Sequence, residues 1–285
     1  MRIQKHYRFA GLAITVEIPE EAAYTQERNM SSFRGAADPD AHRFVYEYVD
    51  TLPEPQGKLL YEQPDFSVYQ IPEGHVRYIG VCNGYARAEH RGKLHLVQVK
   101  KNPVTSRIGI KTVLEAMEVE HLIARNDGFV FHCSYIVNDG MAVLFTAPSE
   151  TGKSTQADLW AKYRGAEIIN GDRAAIRLAE GKLLAEGIPF AGSSKYCKNR
   201  SLPIKAIVYL GQAPKTSIRK LRGYEAFSKI WEGVSVNTWD REDLERVSAV
   251  VQKTAEQIPV FHMPCTPDES AVLALEEALR KQVNP

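Results

Sequence analysis

The 285-residue sequence predicts an α/β (α+β) fold. A core of mixed β-sheet with helices is preceded by a small β-rich N-terminal domain. Three observations carry this. Residues 1 to about 105 are rich in short β-branched and aromatic runs separated by turn signals. From about 106 onward, helical periodicity alternates with short apolar runs. Within that second part, Met141 to Thr155 (MAVLFTAPSETGKST) reads as a strand, a small-residue loop and the start of a helix. The expected domains are therefore 1–105 and 106–285.

In chain order, Tyr7 to Ile18, Phe44 to Val49, Phe66 to Ile71, His75 to Cys82 and Lys93 to Val99 alternate or run apolar. Asp38-Pro39-Asp40, Pro53 to Gly57, Pro72-Glu73-Gly74 and Asn83-Gly84 separate them as turns. Together they predict a small antiparallel sheet. Arg107 to Arg125 carries Ile110, Val113, Leu114, Met117 and Ala124 on one helical face. Phe129 to Val137 is a strand, and Asn138-Asp139-Gly140 turns tightly into the strand from Met141. A helix from Lys153, a strand over Glu167 to Asn170, a hairpin over 174–185 and a strand over Ile204 to Leu210 follow. Helices are expected over 223–232, 241–256 and 267–281, with a strand over Ile258 to Met263 between the last two.

Composition narrows the function classes. Apolar residues make up 44% and charged residues 25%, with a net charge of +1, so nothing points to a nucleic-acid or membrane partner. The N-terminus lacks an apolar signal core, and no run reaches the roughly 20 apolar residues of a bilayer span. Cys82, Cys133, Cys197 and Cys265 form no C-x-x-C pair, which fits a reducing cytoplasm. His6, His42, His75, His90 and His95 follow no metal-ligand spacing and are expected as surface or structural residues.

The 141–155 stretch matches a P-loop in its proper context of strand, loop and helix. Small residues let backbone N–H groups converge on phosphate oxygens, and the helix N-terminus adds its positive dipole end. Ser149, Thr151, Gly152, Lys153, Ser154 and Thr155 are the expected nucleotide-binding residues. Lys153 reaches the outer phosphates and the Ser154 hydroxyl holds Mg²⁺. Two positions depart from the usual pattern: Ala147 replaces the first glycine, and Glu150 sets a carboxylate inside the loop.

Three further features bear on a bound nucleotide. Asp172 ends the strand after the P-loop helix, where a carboxylate suits Mg²⁺ binding or accepting a proton from an attacking hydroxyl. Arg173 beside it can fix Asp172 or touch a phosphate. His132 lies on the strand expected beside the P-loop strand, so it is either a core histidine or a proton shuttle facing the phosphate. Residues 187–224 hold no Asp or Glu but many Lys and Arg; Lys195, Lys198 and Arg200, in the loop Ala191 to Ser201, are the candidates for clamping phosphate.

The segments FVFHCSYIVNDG, TAPSETGKST and IINGDRAAI, spanning Phe129 to Ile176, resemble the HPr kinase/phosphorylase-like fold in its own order. That fold is similar to the nucleotide-binding core of phosphoenolpyruvate carboxykinase. The resemblance implies that Lys153 binds the β- and γ-phosphates and Ser154 binds Mg²⁺. It implies that Asp172 is the base or a metal ligand, and that His132 matches the family histidine. The family's first aspartate is Gly171 here, and the loop glycine after Ser149 is Glu150. Residues 1–105 do not resemble the family's regulatory domain.

The expectation is an ATP- and Mg²⁺-dependent cytoplasmic kinase. Its acceptor is a hydroxyl on a small protein, a peptide or a metabolite, and assembly into a homo-oligomer is a hint from the family. The alternative is a catalytically degraded nucleotide-binding or scaffold protein of the same fold.

Overall fold

The computed structural model describes residues 1–24, 27–80, 84–101 and 107–283. Cys82, the end of the expected strand over 75–82, the Asn83 turn position and the expected boundary at 105 lie outside these residues. The chain divides into two compact units, Met1–Leu122 and Ile123–Pro285. Among the described residues no helix is long and apolar enough to cross a membrane.

The first unit holds β1 (Arg2–Phe9), β2 (Leu12–Pro19), β3 (His42–Val49), β4 (Lys58–Gln63), β5 (Phe66–Ile71), β6 (Gly74–Ile79), β7 (Ala86–Arg91) and β8 (Leu94–Lys100). They form one eight-stranded sheet in the order β1-β2-β3-β8-β7-β6-β5-β4. The sheet is mixed rather than antiparallel, because β3 runs parallel to both β2 and β8. The chain between β2 and β3 is long enough for the crossover that a parallel pair requires.

The run Tyr7 to Ile18 is a hairpin, not one strand. Ala10 and Gly11 turn it with φ of 48° and 69°, the twist that suits a two-residue connection. β4 and β7 add strands that hydrophobic pattern does not announce. β7 buries Ala86, Ala88 and His90, none of them a large apolar residue. The single helix expected over 107–125 is two, α1 (Ile110–Ala116) and α2 (Val119–Ala124). The break lies at Glu118, whose φ of 45° is left-handed and cannot continue a right-handed helix.

The second unit contains β9 (Gly128–Asn138), β10 (Met141–Thr146), α3 (Lys153–Arg164), β11 (Glu167–Asn170), β12 (Arg173–Ala179), β13 (Lys182–Glu186), β14 (Ser201–Gln212), β15 (Arg219–Leu221), α4 (Gly223–Trp231), β16 (Val234–Ser235), α5 (Arg241–Gln257), β17 (Val260–Cys265) and α6 (Glu269–Val283). The sheet path is β10-β9-β12-β13-β14-β17-β15, and β10 also pairs in parallel with β14, which closes part of the path on itself.

β9 organises this unit. Its first half pairs with β12 and β16, and its second half with β10 and β11. The β9–β10 turn uses Asp139 and Gly140 at φ of 52° and 73°. Both sides of the sheet are buried. Phe129, Phe131, Ile230 and Val251 pack on the side of α4 and α5, and Phe145, Trp160, Val208 and Leu275 on the side of α3 and α6. Covering both faces explains why β9 and β10 read as continuous apolar runs.

Candidate functional site

β10 buries Val143, Leu144 and Phe145 and delivers the chain to residues 147–152, after which α3 begins at Lys153. Gly152 has φ 114°, a conformation that L side chains rarely adopt. Glu150 is also left-handed, at φ 63°, and its side chain is exposed. Gln212 donates to its carbonyl at 3.4 Å.

Lys153 is 7% exposed. Its ammonium donates to the carbonyls of Ala147 at 3.0 Å and Pro148 at 3.3 Å, so it ties the turn to the start of the helix. Burial lowers its pKa, while Cys133 and Asp172 act in the opposite direction. Ser154 and Thr155 are exposed on the first turn of α3.

The facing wall comes from β9 and the β11–β12 turn. His132 lies opposite Arg173 in the β9–β12 register, and the Cys133 N–H donates to the Asp172 carbonyl at 3.0 Å. His132 Nε2 stands 3.6 Å from Asp172 Oδ1, an electrostatic rather than a hydrogen-bond distance. Arg173 Nε donates to Asp172 Oδ2 at 3.2 Å. The neighbouring His132 holds the Asp172 carboxyl below its usual range; burial opposes this and Arg173 supports it. Burial pushes the Cys133 thiol well up, which leaves it as packing rather than a nucleophile.

Asn170 sets the position of Asp172. It is fully buried, and its Oδ1 accepts from the Asp172 and Arg173 N–H groups at 2.9 and 3.0 Å. Its Nδ2 donates to the carbonyls of Ile188 and Phe190. Sequence reasoning passed over it, although Asn-Gly-Asp at a strand end is the signal of an Asx turn. Ser194 fills the space beside Gly171, and Gly192, at φ 51°, lies against the Asp172 carboxylate.

These elements enclose a cleft of about 380 Å³. His132, Ser149, Lys153, Ser154 and Asp172 line it, together with Glu150 and Lys195. A second cleft of about 560 Å³ is bordered by Thr151, Gly152 and Thr155, with Gln212, Pro214 and Thr266 opposite. Glu150 borders both. Arg200 borders neither: its Nη1 lies 3.8 Å from Glu167, and Lys198 donates to the same carboxylate at 2.9 Å. Of the three basic loop residues, Lys195 alone lines the first cleft.

Ser154 and Asp172 present hard oxygen donors to one cleft. That set fits Mg²⁺, which takes few protein oxygens and completes its shell with phosphate and water.

No family model matches the chain, and no curated protein matches it significantly. Among solved structures, the Hpr(Ser) kinase/phosphatase from Coxiella burnetii aligns over 54% of this chain and 89% of its own, at 14% identity and a TM-score of 0.33.

Proposed function

We propose that the chain is an ATP-dependent phosphotransferase that moves the γ-phosphoryl group to a hydroxyl, on a serine of a small protein or peptide or on a metabolite. The observation that carries this reading is the shared cleft. Lys153 and Ser154 at a helix start face His132 and Asp172 across it.

In this reading the nucleoside occupies the second cleft, and the triphosphate passes the 147–153 turn into the first. The backbone N–H groups at the start of α3 bind phosphate oxygens. Lys153 exchanges the Ala147 and Pro148 carbonyls for the outer phosphates. Asp172, kept ionised by His132, takes the proton of the acceptor hydroxyl. The new O–P bond forms in line as the bond to the β,γ-bridging oxygen breaks, and ADP leaves. Ser154 would hold a Mg²⁺ ion, which would supply charge neutralisation on the phosphates.

The test is labelled-phosphate transfer from ATP to candidate peptides and metabolites of the same cell, paired with thermal melting. ATP with Mg²⁺ raises the melting temperature of the wild-type chain. Asp172→Asn lowers transfer by about 10²–10⁴-fold and keeps most of the ATP-induced shift. Transfer unchanged in that variant removes Asp172 as the base.

Two observations favour a second reading, a scaffold that has lost catalysis. Glu150 sits in the turn that would hold phosphate, and Ser194 fills the room an acid at position 171 would need. Absence of any thermal shift at millimolar ATP selects that reading.

A further inference from the structure

The first unit buries a cluster of ionisable side chains. His75 on β6, His90 on β7 and His95 on β8 stand directly opposite one another in adjacent antiparallel strands. Residues paired in this way project from one face of the sheet. Their exposures are 7%, 5% and 1%. Glu118, 2% exposed, enters from the turn between α1 and α2.

The donor atoms converge. Glu118 Oε2 lies 2.5 Å from His75 Nε2 and 3.7 Å from His90 Nε2. The three ligand atoms fall within 4.8 Å of one another. Tetrahedral bonds of about 2.0–2.1 Å place ligand atoms roughly 3.3 Å apart, between those two separations.

The histidines behind the cluster constrain it further. His90 Nδ1 lies 2.8 Å from His95 Nδ1, and His95 Nε2 lies 3.1 Å from His42 Nδ1. Phe44 stacks on His95 at 4.1 Å. If the N–H groups point outward along this chain, His90 Nε2 is a bare lone pair facing a carboxylate. If they point inward, its N–H sits 3.7 Å from that carboxylate, beyond hydrogen-bond reach. In both cases a buried ring nitrogen lacks a partner, and it is aimed at Glu118. Arg77 approaches the other carboxylate oxygen, Oε1, at 3.6 Å, and that oxygen has no hydrogen bond either. Arg77 therefore balances charge without completing the carboxylate's shell.

We propose that His75, His90 and Glu118 form a site for a divalent transition metal of the zinc class. Two imidazoles with one carboxylate suit such an ion better than Mg²⁺ or Ca²⁺, which prefer all-oxygen shells. A cation between His90 and Glu118 gives the stranded nitrogen and the carboxylate a common partner. His95 and His42 are the outer hydrogen-bonded groups that orient a ligating histidine. The site joins the turn at Glu118 to β6 and β7 and is structural in character. It stands apart from the phosphotransferase reading and uses none of its residues.

The experiment strips the full chain with a chelator, dialyses it and titrates it with Co²⁺. The expected result is a visible ligand-field band that saturates at a single equivalent and is bleached by Zn²⁺. His90→Ala and Glu118→Gln abolish the band, with folding checked by circular dichroism. His95→Gln keeps it but weakens affinity about 10–100-fold. No band in the wild-type chain overturns the proposal, and so does a band unchanged in Glu118→Gln. If His90→Ala does not fold, the isosteric Glu118→Gln and the His95→Gln affinity decide the matter.

Discussion

A Cβ atom added to Gly171 would lie 2.9 Å from the Ser194 Cβ, and closer still to its hydroxyl oxygen. The glycine and the serine fit together because the loop through Ser194 occupies the space a side chain at 171 would take. The Ser194 side chain thus leaves no room for a side chain at 171. Gly171→Ala is expected to destabilise the chain by about 1–3 kcal/mol through overpacking, read by denaturant unfolding. Gly171→Asp is expected to behave worse, and Gly171→Ala with Ser194→Gly to recover most of the loss. No difference between Gly171→Ala and wild type would show that the loop yields freely.

Asn170 governs Asp172 through two accepted N–H bonds while anchoring the 188–190 segment through two donated ones. Asn170→Ala leaves buried groups on both sides unpaired. The expected cost is about 2–4 kcal/mol in urea unfolding. In a working phosphotransferase, kcat should fall more than KM rises, because the base moves while the nucleotide-facing turn stays. Unaltered stability and kcat would deny Asn170 its positioning role.

Glu150 holds a left-handed φ of 63° with a full side chain, which costs about 1–2 kcal/mol relative to a residue at ease there. Glu150→Gly removes that strain and a negative charge bordering both clefts. ATP–Mg²⁺ affinity measured by calorimetry should tighten, and the gain over wild type should shrink at high salt as screening weakens the lost repulsion. An affinity that does not change places the Glu150 carboxylate away from the phosphates.

Glu27 in the first unit accepts from Arg34 at 2.8 and 2.9 Å and from Lys5 at 3.0 Å, with its carboxyl largely buried. Arg34 lowers its pKa most; burial opposes, and Lys5 adds to the lowering. Its folded-state pKa is therefore below the unfolded one. The stabilisation is present above the unfolded carboxyl range and is lost as pH falls through the folded value. Glu27→Gln should lower the melting temperature at pH 7, and the gap from wild type should close toward pH 3. A gap independent of pH would assign the effect to packing alone.

What could be read from the sequence was local. The strand, turn and helix from Met141 to Arg164, the Asp139-Gly140 turn and the helices at 223–231, 241–257 and 269–283 arise from residues close in the chain. Their signals are periodicity and turn chemistry. The strand-to-helix motif and the strand-end Asp172 belong to the same class, and His132, Lys153, Ser154 and Asp172 do border one cleft.

Tertiary pairing decided the rest. Arg200, four residues after the cleft residue Tyr196, lies beside Glu167 instead. Ser194 closes over Gly171 from a distant stretch of the chain. His75, His90 and His95 look unrelated along the chain, and no ligand spacing links them to Glu118. Strand register places the three rings side by side, and the left-handed turn at Glu118 brings the carboxylate to them. Beyond a tight hairpin, sequence separation does not say which strands are neighbours in a sheet. It takes the hydrogen-bonded ladder to bring His75, His90 and His95 together.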